Sequence, residues 1–482
     1  MNAPILRVFG VVVLLFALLV VWTSRWTVFG AEELRDNAKN RRELLDAQRV
    51  DRGPIRDRDG NVLARSIKVA GGRGNQDTYT RRYPPAALFP HAVGYSYVDR
   101  GQAGLERFYD DALVGDHGEI TSLLDQVLAR KREGDTLHTT LDPGAQRVAL
   151  QALGGRKGAV VVMEPDTGKV LVMASVPGYD QNAIRDRKTF EALNTDDANA
   201  PLLNRTTQAL YPPGSTFKVV TAAAAIDSGK FTPDSTIDGN SGKEISGVPL
   251  ANSGGKDFGT ITLTTALTNS VNTVWADVAE QLGKGTMAEY MERFGFGVDP
   301  PIDLPADEKA PSGEYRNRRL LSTRSTFVDV GRMAIGQDKL LVTPLQMATV
   351  AATVANDGKR MKPWLMDRIT DPDGRTREDS DPEQEARVMS ASAAKELQQM
   401  MGNVVREGTG TAAALAGIEV GGKTGTAEID PDRDLNQPWF IGFAPLDNPK
   451  YAIAATVERS VGGQGGTVAA PVAQQVLQEL VK

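Results

Sequence analysis

The chain has 482 residues, a length typical of roughly two to four domains, and its 41% hydrophobic and 24% charged residues are those of a globular protein. The net charge of −6, without a long basic run, argues against a nucleic-acid partner. The absence of cysteine excludes disulfides, thiolate nucleophiles and cysteine-ligated metals. The histidines, His91, His117 and His138, lie outside any metal-ligand spacing, so a histidine-based triad or metal site is a poor hypothesis.

The N-terminal 28 residues form the first predicted unit. Residues 5–28 are apolar enough and long enough to span a membrane, with Trp22 and Trp26 as interfacial anchors. A cleaved signal peptide is the alternative, because the residues around position 28 fit a small-residue cleavage pattern. Arg25 and the two tryptophans favour a retained anchor. We therefore predict a short cytoplasmic tail and one transmembrane helix over residues 1–28, with the rest of the chain exported.

Residues 29–153 indicate an irregular, extended N-terminal domain. A turn at residues 59–61, Asp-Gly-Asn, separates two short apolar segments and predicts a β-hairpin. The glycine-rich run 71–74 lacks the lysine and the helix of a phosphate-binding loop, so we interpret it as an ordinary loop. A helix over Pro143–Leu153, with Asp142 as its cap, ends this domain.

Residues 154–482 have the pattern of an α+β domain. Two apolar segments between residues 159 and 174 flank a turn and predict a hairpin buried on both faces. Helical patterns dominate residues 189–356, and two more strands and an amphipathic helix over residues 471–481 close the chain. This order indicates an antiparallel sheet covered by helices, with an all-helical subdomain. The charged residues 371–387 are predicted to form an exposed insertion.

Residues 211–218, Tyr-Pro-Pro-Gly-Ser-Thr-Phe-Lys, predict a turn that runs into a buried, alanine-rich helix. Two prolines and a glycine forbid helix before Ser215, and the apolar run after it favours one. Ser215 and Lys218 lie three apart and therefore share a helix face. A serine needs a nearby base to become a nucleophile, and a desolvated lysine can be that base. A serine that merely caps a core helix is the plainer alternative.

Two further motifs follow in order. Ser270 and Asn272 lie two apart in a polar break within a helical region, and Lys423, Thr424 and Gly425 precede a strand. Singly, these fit a core serine–asparagine pair and a glycine turn. The order Ser-x-x-Lys, Ser-x-Asn, Lys-Thr-Gly is the motif set of penicillin-binding proteins and class A β-lactamases. The chain therefore resembles the penicillin-interacting acyl-serine transferases.

The remaining sequence resembles the class B, monofunctional penicillin-binding proteins, in particular the shorter actinobacterial kind. Segments around Arg52, Gly53, Asp57 and Glu106 are similar to motifs of their N-terminal domain, and we interpret them as structural residues that clamp that domain to the catalytic one. The resemblance implies a serine β-lactamase-like transpeptidase domain over residues 154–482, behind a non-catalytic pedestal domain and the transmembrane helix.

The resemblance also implies a role for each motif residue. Ser215 would attack the carbonyl of the penultimate D-Ala of a stem peptide, with Lys218 as its base and Lys423 as a second cation that lowers the pKa of Lys218. Ser270 would relay a proton to the leaving D-Ala, and Asn272 would bind the peptide backbone and Lys218.

The Lys-Thr-Gly strand would hold the substrate. The hydroxyls of Thr424 and Thr426 would bind the terminal carboxylate, and Gly425 would let the strand approach the substrate. The backbone N–H groups of Ser215 and Thr426 would form the oxyanion hole.

The predicted function is that of a peptidoglycan D,D-transpeptidase, which cross-links stem peptides ending in D-Ala-D-Ala and is inhibited by β-lactams. We expect a single-pass protein of the bacterial cell membrane with an extracytoplasmic catalytic domain. The resemblance implies a membrane glycosyltransferase partner, and the sequence indicates no metal or organic cofactor.

Other functions stay open at this point. A D,D-carboxypeptidase differs only in using water as acceptor, and a β-lactam sensor or division scaffold would keep the motifs without catalysis. A β-lactamase is disfavoured because neither Glu308 nor Glu314 starts the Glu-x-x-Leu-Asn pattern of a class A deacylating base.

Overall fold

The structure, a computed structural model, describes residues 3–25, 49–70, 78–116 and 133–482. The predicted loop at 71–74 and His117 lie outside these residues. The apolar N-terminal segment is helix α1 (Ala3–Ser24), and its window Arg7–Ser24 has a mean hydropathy of 2.2 with none of it buried. Helix α1 is long and apolar enough to cross a membrane, a property that anchors and signal sequences share.

The described part of the N-terminal domain is built from short strands and helices. They are β1 (Ile55–Arg56), β2 (Val62–Val69), β3 (Thr78–Arg82), α2 (Pro90–Val93), β4 (Ser96–Tyr97), β5 (Gly101–Gln102), α3 (Gly104–Phe108), α4 (Asp110–Leu113), β6 (Thr136–Thr139) and α5 (Pro143–Leu153). Strands β1 and β2 form the predicted hairpin. Asp142 caps α5 as predicted, because its carboxylate accepts hydrogen bonds from the N–H groups of Gly144 and Ala145.

Residues 154–482, which resemble a transpeptidase domain and are called the transpeptidase part below, begin with a hairpin and a mainly helical block. These elements are β7 (Gly158–Met163), β8 (Val170–Val176), α6 (Arg187–Asn194), α7 (Lys218–Asp227), β9 (Thr236–Asp238), β10 (Lys243–Ile245), β11 (Val248–Leu250), β12 (Thr260–Thr262), α8 (Leu263–Thr268), α9 (Asn272–Leu282), α10 (Lys284–Arg293), β13 (Gly313–Arg316), β14 (Arg319–Leu320), α11 (Val330–Met333), β15 (Leu340–Leu341) and α12 (Pro344–Ala355).

The chain then returns to strands before it closes with a helix. These elements are β16 (Lys359–Met361), β17 (Met366–Thr370), β18 (Thr376–Asp379), β19 (Gln384–Arg387), α13 (Ala391–Arg406), β20 (Gly421–Asp430), β21 (Leu435–Ala444), β22 (Tyr451–Val457), β23 (Ser460–Val461) and α14 (Ala470–Leu480).

The transpeptidase sheet has the strand order β20-β21-β22-β7-β8, with every neighbouring pair antiparallel. Every residue of β7 and β8 is buried, which explains why these strands read as continuous apolar runs. Helices α5 and α14 pack on one face of this sheet, and α12, buried along its whole length, packs on the other. The predicted α+β fold, an antiparallel sheet covered by helices, is confirmed.

Helix α7 runs through the centre of the helical subdomain. It packs against α9, α10 and α13, and its residues from Lys218 to Ile226 are all buried. Four consecutive alanines give α7 a thin side-chain shell, so its neighbours approach closely. The turn that precedes α7 contacts β20, so the sheet and the helical subdomain meet at the start of α7.

A second sheet joins the two parts of the chain. Its strand order in the described residues is β18-β17-β6-β1-β2-β3, so strands from the transpeptidase part extend the N-terminal sheet. The segment 371–387, predicted as an exposed insertion, is exposed. It is nevertheless part of the sheets, because its strand β18 pairs with β17 and its strand β19 pairs with β16. The pairing of β17 with β6 spans more than two hundred residues, and local sequence pattern carries no signal of it.

The N-terminal motif residues stabilise their own domain. Arg52 Nε lies 2.7 Å from one carboxylate oxygen of Glu106, and Arg81 Nε lies 2.6 Å from the other. The prediction that these motif residues clamp the N-terminal domain to the catalytic one was wrong. The contact between the two domains is made by residues that flank Glu106. Gly104 N–H donates to Glu308 at 3.0 Å, and Arg107 pairs with Asp307 at 2.7 Å.

Candidate active site

The nucleophile turn is a 3₁₀ helix, Gly214–Phe217, that leads directly into α7. Gly214 has a φ of +52°, and its N–H donates to Gly336 O at 3.0 Å, so the turn is tied to the loop after α11. The indole N–H of Trp439 donates to Pro212 O at 3.0 Å from the other side. Ser215 therefore precedes the α-helix by one 3₁₀ turn, and Lys218 is the first α-helical residue.

Lys218 is completely buried and makes three contacts through its amine. Its Nζ donates to Ser270 O at 2.7 Å and to Asn272 Oδ1 at 2.7 Å, and it lies 3.2 Å from Ser270 Oγ. The first two motifs, more than fifty residues apart in sequence, therefore meet at this amine. The Ser215 hydroxyl makes no hydrogen bond with another described residue, and in free enzymes such catalytic contacts are often long.

The Ser270 motif occupies the break between α8 and α9, as predicted. Ser270 has a φ of +59°, a left-handed conformation that ends α8 and turns its side chain toward Lys218. Asn252 supports the break from a distant loop, because its side-chain oxygen accepts the N–H groups of Asn272 at 3.0 Å and Thr273 at 3.1 Å. This cap of α9 by Asn252 had no signal in the sequence.

Lys423 approaches from the sheet side of the cleft. It lies on β20, at the edge of the transpeptidase sheet, so the alternative of a glycine turn at this motif was wrong. Its Nζ donates to Ser270 Oγ at 2.9 Å and to Thr424 O at 2.8 Å. Ser270 Oγ thus accepts from one lysine on each side, and the hydrogen of its own hydroxyl remains to be donated elsewhere.

Burial and charge act on both lysines. Burial, and then the proximity of Lys423, lower the pKa of Lys218 well below its ordinary value. Burial lowers the pKa of Lys423 to about 7. A neutral amine at Lys218 is therefore accessible near neutral pH, which is the condition for a lysine to act as a base.

Glycines bring the nucleophile turn and β20 into contact. A Cβ added to Gly425 would lie 2.7 Å from Pro213 O and 2.9 Å from Thr216 Cγ2. A Cβ added to Gly214 would lie 2.8 Å from Thr426 O, from the opposite direction. No side chain fits between these segments, so glycine sets the width of the cleft.

The backbone of Thr426 faces the nucleophile turn. Thr426 lies opposite Pro438 in the pairing of β20 with β21. Proline has no N–H, so this pair cannot exchange the two bonds of a hydrogen-bonded pair, and the N–H and C=O of Thr426 point to the open edge. The contact between Thr426 O and Gly214 agrees with this orientation.

Two neighbours of the strand were missed by sequence reasoning. The Thr409 hydroxyl lies 2.6 Å from that of Thr424, and Gly465 N–H donates to the Thr426 hydroxyl at 3.0 Å. Each pairs with a residue predicted to bind substrate. A single threonine in a turn and a glycine at the start of a short helix carry no pattern that would have identified them.

The two glutamates considered for a deacylating role lie elsewhere. The Glu308 carboxylate accepts the Gly104 N–H at the contact with the N-terminal domain, and Glu314 is buried in β13. Among the described residues there is also no group of histidines and carboxylates that could hold a metal ion.

A serine on a 3₁₀ turn, two buried lysines that share one hydroxyl, and a Lys-Thr-Gly edge strand are the features of an acyl-serine transferase site. The family described as the penicillin binding protein transpeptidase domain matches residues 158–478, and the penicillin binding protein A dimerisation domain matches residues 52–137. The chain belongs to this family, as a class B penicillin-binding protein.

Relatives with this organisation match over nearly the whole chain. The peptidoglycan D,D-transpeptidase PbpA of Mycolicibacterium smegmatis is 34% identical, over 99% of this chain and 98% of the relative. That of Mycobacterium tuberculosis is 32% identical, over 99% of both chains.

Solved structures give the same result. Penicillin-binding protein A from M. tuberculosis, as a ceftriaxone acyl-enzyme complex, aligns with a TM-score of 0.80 and 30% identity, covering 91% of this chain and 100% of that one. The D,D-transpeptidase domain of a peptidoglycan glycosyltransferase from Eggerthella lenta aligns with a TM-score of 0.78 and 32% identity, covering 90% of this chain and 98% of that one.

Proposed function

We propose that this chain is a peptidoglycan D,D-transpeptidase that forms an acyl-enzyme on Ser215 and passes the acyl group to an amine of a second stem peptide. The observation that carries the proposal is the Ser270 hydroxyl, which accepts hydrogen bonds from Lys218 and Lys423 beside the nucleophile turn. Membership of the penicillin-binding transpeptidases supports it, because relatives with this organisation are named peptidoglycan D,D-transpeptidases.

Lys218 is the base of the acylation step. A neutral lysine has two N–H bonds and one lone pair, and the two shortest contacts of Lys218 are to the oxygens of Ser270 O and Asn272 Oδ1. With both hydrogens donated there, the lone pair remains to accept the proton of the Ser215 hydroxyl. The serine oxygen then attacks the carbonyl carbon of the penultimate D-Ala.

The developing oxyanion is stabilised by backbone donors. The N–H of Thr426 points to the open edge of β20, and that of Ser215 lies in the first turn of a helix, where N–H groups lack helical partners. Removal of one such donor typically costs about 3 kcal/mol of transition-state stabilisation.

The leaving D-Ala takes its proton from Ser270. Once Lys218 has taken the Ser215 proton, it has a third hydrogen to donate to Ser270 Oγ, to which Lys423 also donates. The hydrogen of Ser270 is then free to reach the departing amine, and Lys218 can return a proton to Ser270. The carboxylate of D-Ala binds to the Lys423 charge and to the hydroxyls of Thr424 and Thr426.

A donor and acceptor assay separates this function from a D,D-carboxypeptidase. The purified chain in detergent receives a stem pentapeptide donor, with or without a stem peptide that carries a free side-chain amine. We expect released D-Ala to be matched by amide-linked dimer when the acceptor is present. Equal release with no dimer at any acceptor concentration would assign the carboxypeptidase reaction instead.

We also propose that α1 anchors the chain in the membrane with the catalytic domain outside the cytoplasm. The chain has no cysteine, so a single introduced one reports topology without background. A membrane-impermeant maleimide should label Ala192→Cys, on the exposed helix α6, in intact cells, and Asn2→Cys only after permeabilisation. Labelling of Asn2→Cys in intact cells would contradict the topology.

The glycosyltransferase partner stays a prediction, and co-purification from membranes in mild detergent tests it.

A further inference from the structure

A cavity of about 540 Å³ lies where the N-terminal and transpeptidase parts meet, and none of its lining residues belongs to the Ser215 site. Phe108, the last residue of α3, and Tyr109, which follows it, form one wall, and Trp364 forms another. The loop before β13 and the end of β18 complete it. Three aromatic rings from two distant parts of the chain therefore border one space.

Several polar groups in the cavity are already paired. The Asp303 carboxylate accepts the N–H groups of Leu365 at 2.7 Å and Met366 at 2.8 Å, and the Tyr109 hydroxyl at 3.0 Å. Lys309 Nζ donates to a backbone carbonyl at 3.0 Å. A further pair joins Lys362 to Glu383 at 2.9 Å. These groups build the cavity and leave little hydrogen-bonding capacity for a ligand.

Two carboxylates in the cavity differ from these. Glu378 and Asp381 line it, both are exposed, and neither side chain forms an ion pair or hydrogen bond with another described residue. The ring of Phe108 is 47% exposed beside them. The cavity thus combines uncompensated negative charge with an accessible aromatic surface.

We propose that this cavity binds the cationic side chain, lysine or arginine, of an extended peptide segment from a partner protein. An aliphatic stem would pack on the exposed ring of Phe108, while the cation would pair with Glu378 and Asp381. An anionic ligand would be repelled by the same carboxylates, and a neutral one would cover them without a partner.

The neighbouring strand favours an extended peptide over a free amine. Strand β18 ends at the cavity and is the last strand of its sheet in the described part of the chain, with all four residues exposed. An extended segment can pair with such an edge through its main chain and place one side chain into an adjacent pocket. The two carboxylates of the cavity favour a cationic side chain at that position of the peptide.

Two matched peptides test the proposal on the full chain in detergent. Acetyl-Ala-Arg-Ala-amide and acetyl-Ala-norleucine-Ala-amide have similar stems and differ in charge, and ligand-observed NMR measures their binding. We expect the arginine peptide to saturate with a Kd of about 1 mM and the norleucine peptide to bind at least tenfold more weakly. Equal binding of the two peptides, or no saturation of the arginine peptide up to about 20 mM, would overturn the proposal.

Charge-neutralised variants locate the site. Glu378→Gln/Asp381→Asn should weaken the arginine peptide about tenfold, whereas Glu396→Gln/Asp447→Asn, which removes the same charge from exposed positions elsewhere, should not. Unchanged binding in the first double variant would refute the assignment. Benzylpenicillin should acylate both double variants at the wild-type rate, so the result is independent of the reaction at Ser215.

A third probe distinguishes the source of the cation. A stem peptide with a free side-chain amine offers the same charge on a cell-wall scaffold. We expect it to displace the arginine peptide only weakly, because it lacks an extended main chain that can pair with β18. Displacement at tenfold lower concentration than the arginine peptide would assign the cavity to the cell wall and overturn the proposed protein partner.

Discussion

At the scale of single residues, the protonation state of Lys218 controls the chemistry. The amine is buried and has neutral oxygen acceptors and a second lysine around it, with no carboxylate among its hydrogen-bond partners. Nothing in this set stabilises an ammonium ion as a carboxylate would. The environment therefore favours the neutral base, which the motif in the sequence can suggest but not demonstrate.

A carboxylate at position 272 tests this directly. Asn272→Asp places a negative charge where Oδ1 now lies 2.7 Å from Lys218 Nζ, and an opposite charge at that distance raises the pKa of the lysine. We expect acylation by benzylpenicillin at pH 7 to fall at least tenfold. Asn269→Asp, an exposed change three residues earlier, should retain the wild-type rate. An unchanged rate in Asn272→Asp would show that Lys218 is not the base.

The wild-type enzyme should have a bell-shaped pH profile of acylation. Neutral Lys218 increases with pH, so the rate rises through the lowered pKa of Lys218. The Lys423 ammonium, which binds the carboxylate of the β-lactam, is lost above its pKa of about 7, so the rate then falls. Stopped-flow acylation between about pH 5 and pH 9 measures both limbs. A rate that still rises through pH 9 would contradict the assignment of Lys423.

At the scale of elements, the site depends on the contact between the nucleophile turn and β20. Gly425→Ala adds a methyl group that would lie 2.7 Å from Pro213 O, so the strand must move away from Ser215. A displacement of about 1 Å at such a site can reduce the rate about a hundredfold. Gly285→Ala, in α10 with open space around its added Cβ, is the matched control. Acylation kinetics and thermal unfolding compare the two, and a wild-type acylation rate in Gly425→Ala would contradict the role of this contact.

Elements with a strong local signal were predictable from the sequence. The buried hairpin of β7 and β8 follows from its apolar runs, and the Asp142 cap follows from an aspartate before a proline. The break around Ser270 follows from its polar residues. The three motifs indicated the site because their order is specific, although each alone is not. The 3₁₀ form of the Ser215 turn could not be predicted, because it depends on the contact of Gly214 with Gly336.

Features that depend on distant pairing were not predictable. Asn252 caps α9 from a loop twenty residues away, and Thr409 contacts Thr424 across a helix end. The extension of the N-terminal sheet by β17 and β18 is of the same kind. In each case tertiary packing determines the partner. The local sequence around a single polar residue or a short charged strand does not indicate which distant residue it will contact.

At the scale of the whole molecule, the division into residues 1–28, 29–153 and 154–482 stays a prediction, and the packing shows how to test it. Helix α5 lies before the predicted boundary but covers one face of the transpeptidase sheet together with α14. Strand β17 lies after it but pairs with β6. The cut at residue 153 therefore separates α5 from the sheet it covers.

Truncations of three lengths give the corresponding prediction. Residues 154–482 lose α5 and the N-terminal strands, residues 141–482 regain α5, and residues 49–482 regain both. We expect the melting temperature to rise in that order, with the shortest chain at least about 5 °C below the longest, because it exposes apolar sheet surface. Equal melting temperatures for the three chains would show that the boundary at 153 is a true domain boundary.

The identity of the acylated residue is the central claim, and intact-protein mass spectrometry tests it most directly. After incubation with benzylpenicillin, the wild-type chain should gain the mass of one ring-opened penicillin, and peptide mapping should locate it on Ser215. The variant Ser215→Ala, whose turn and lysines are otherwise retained, should gain none. An adduct that persists in Ser215→Ala, or maps to another serine in the wild type, would contradict the account.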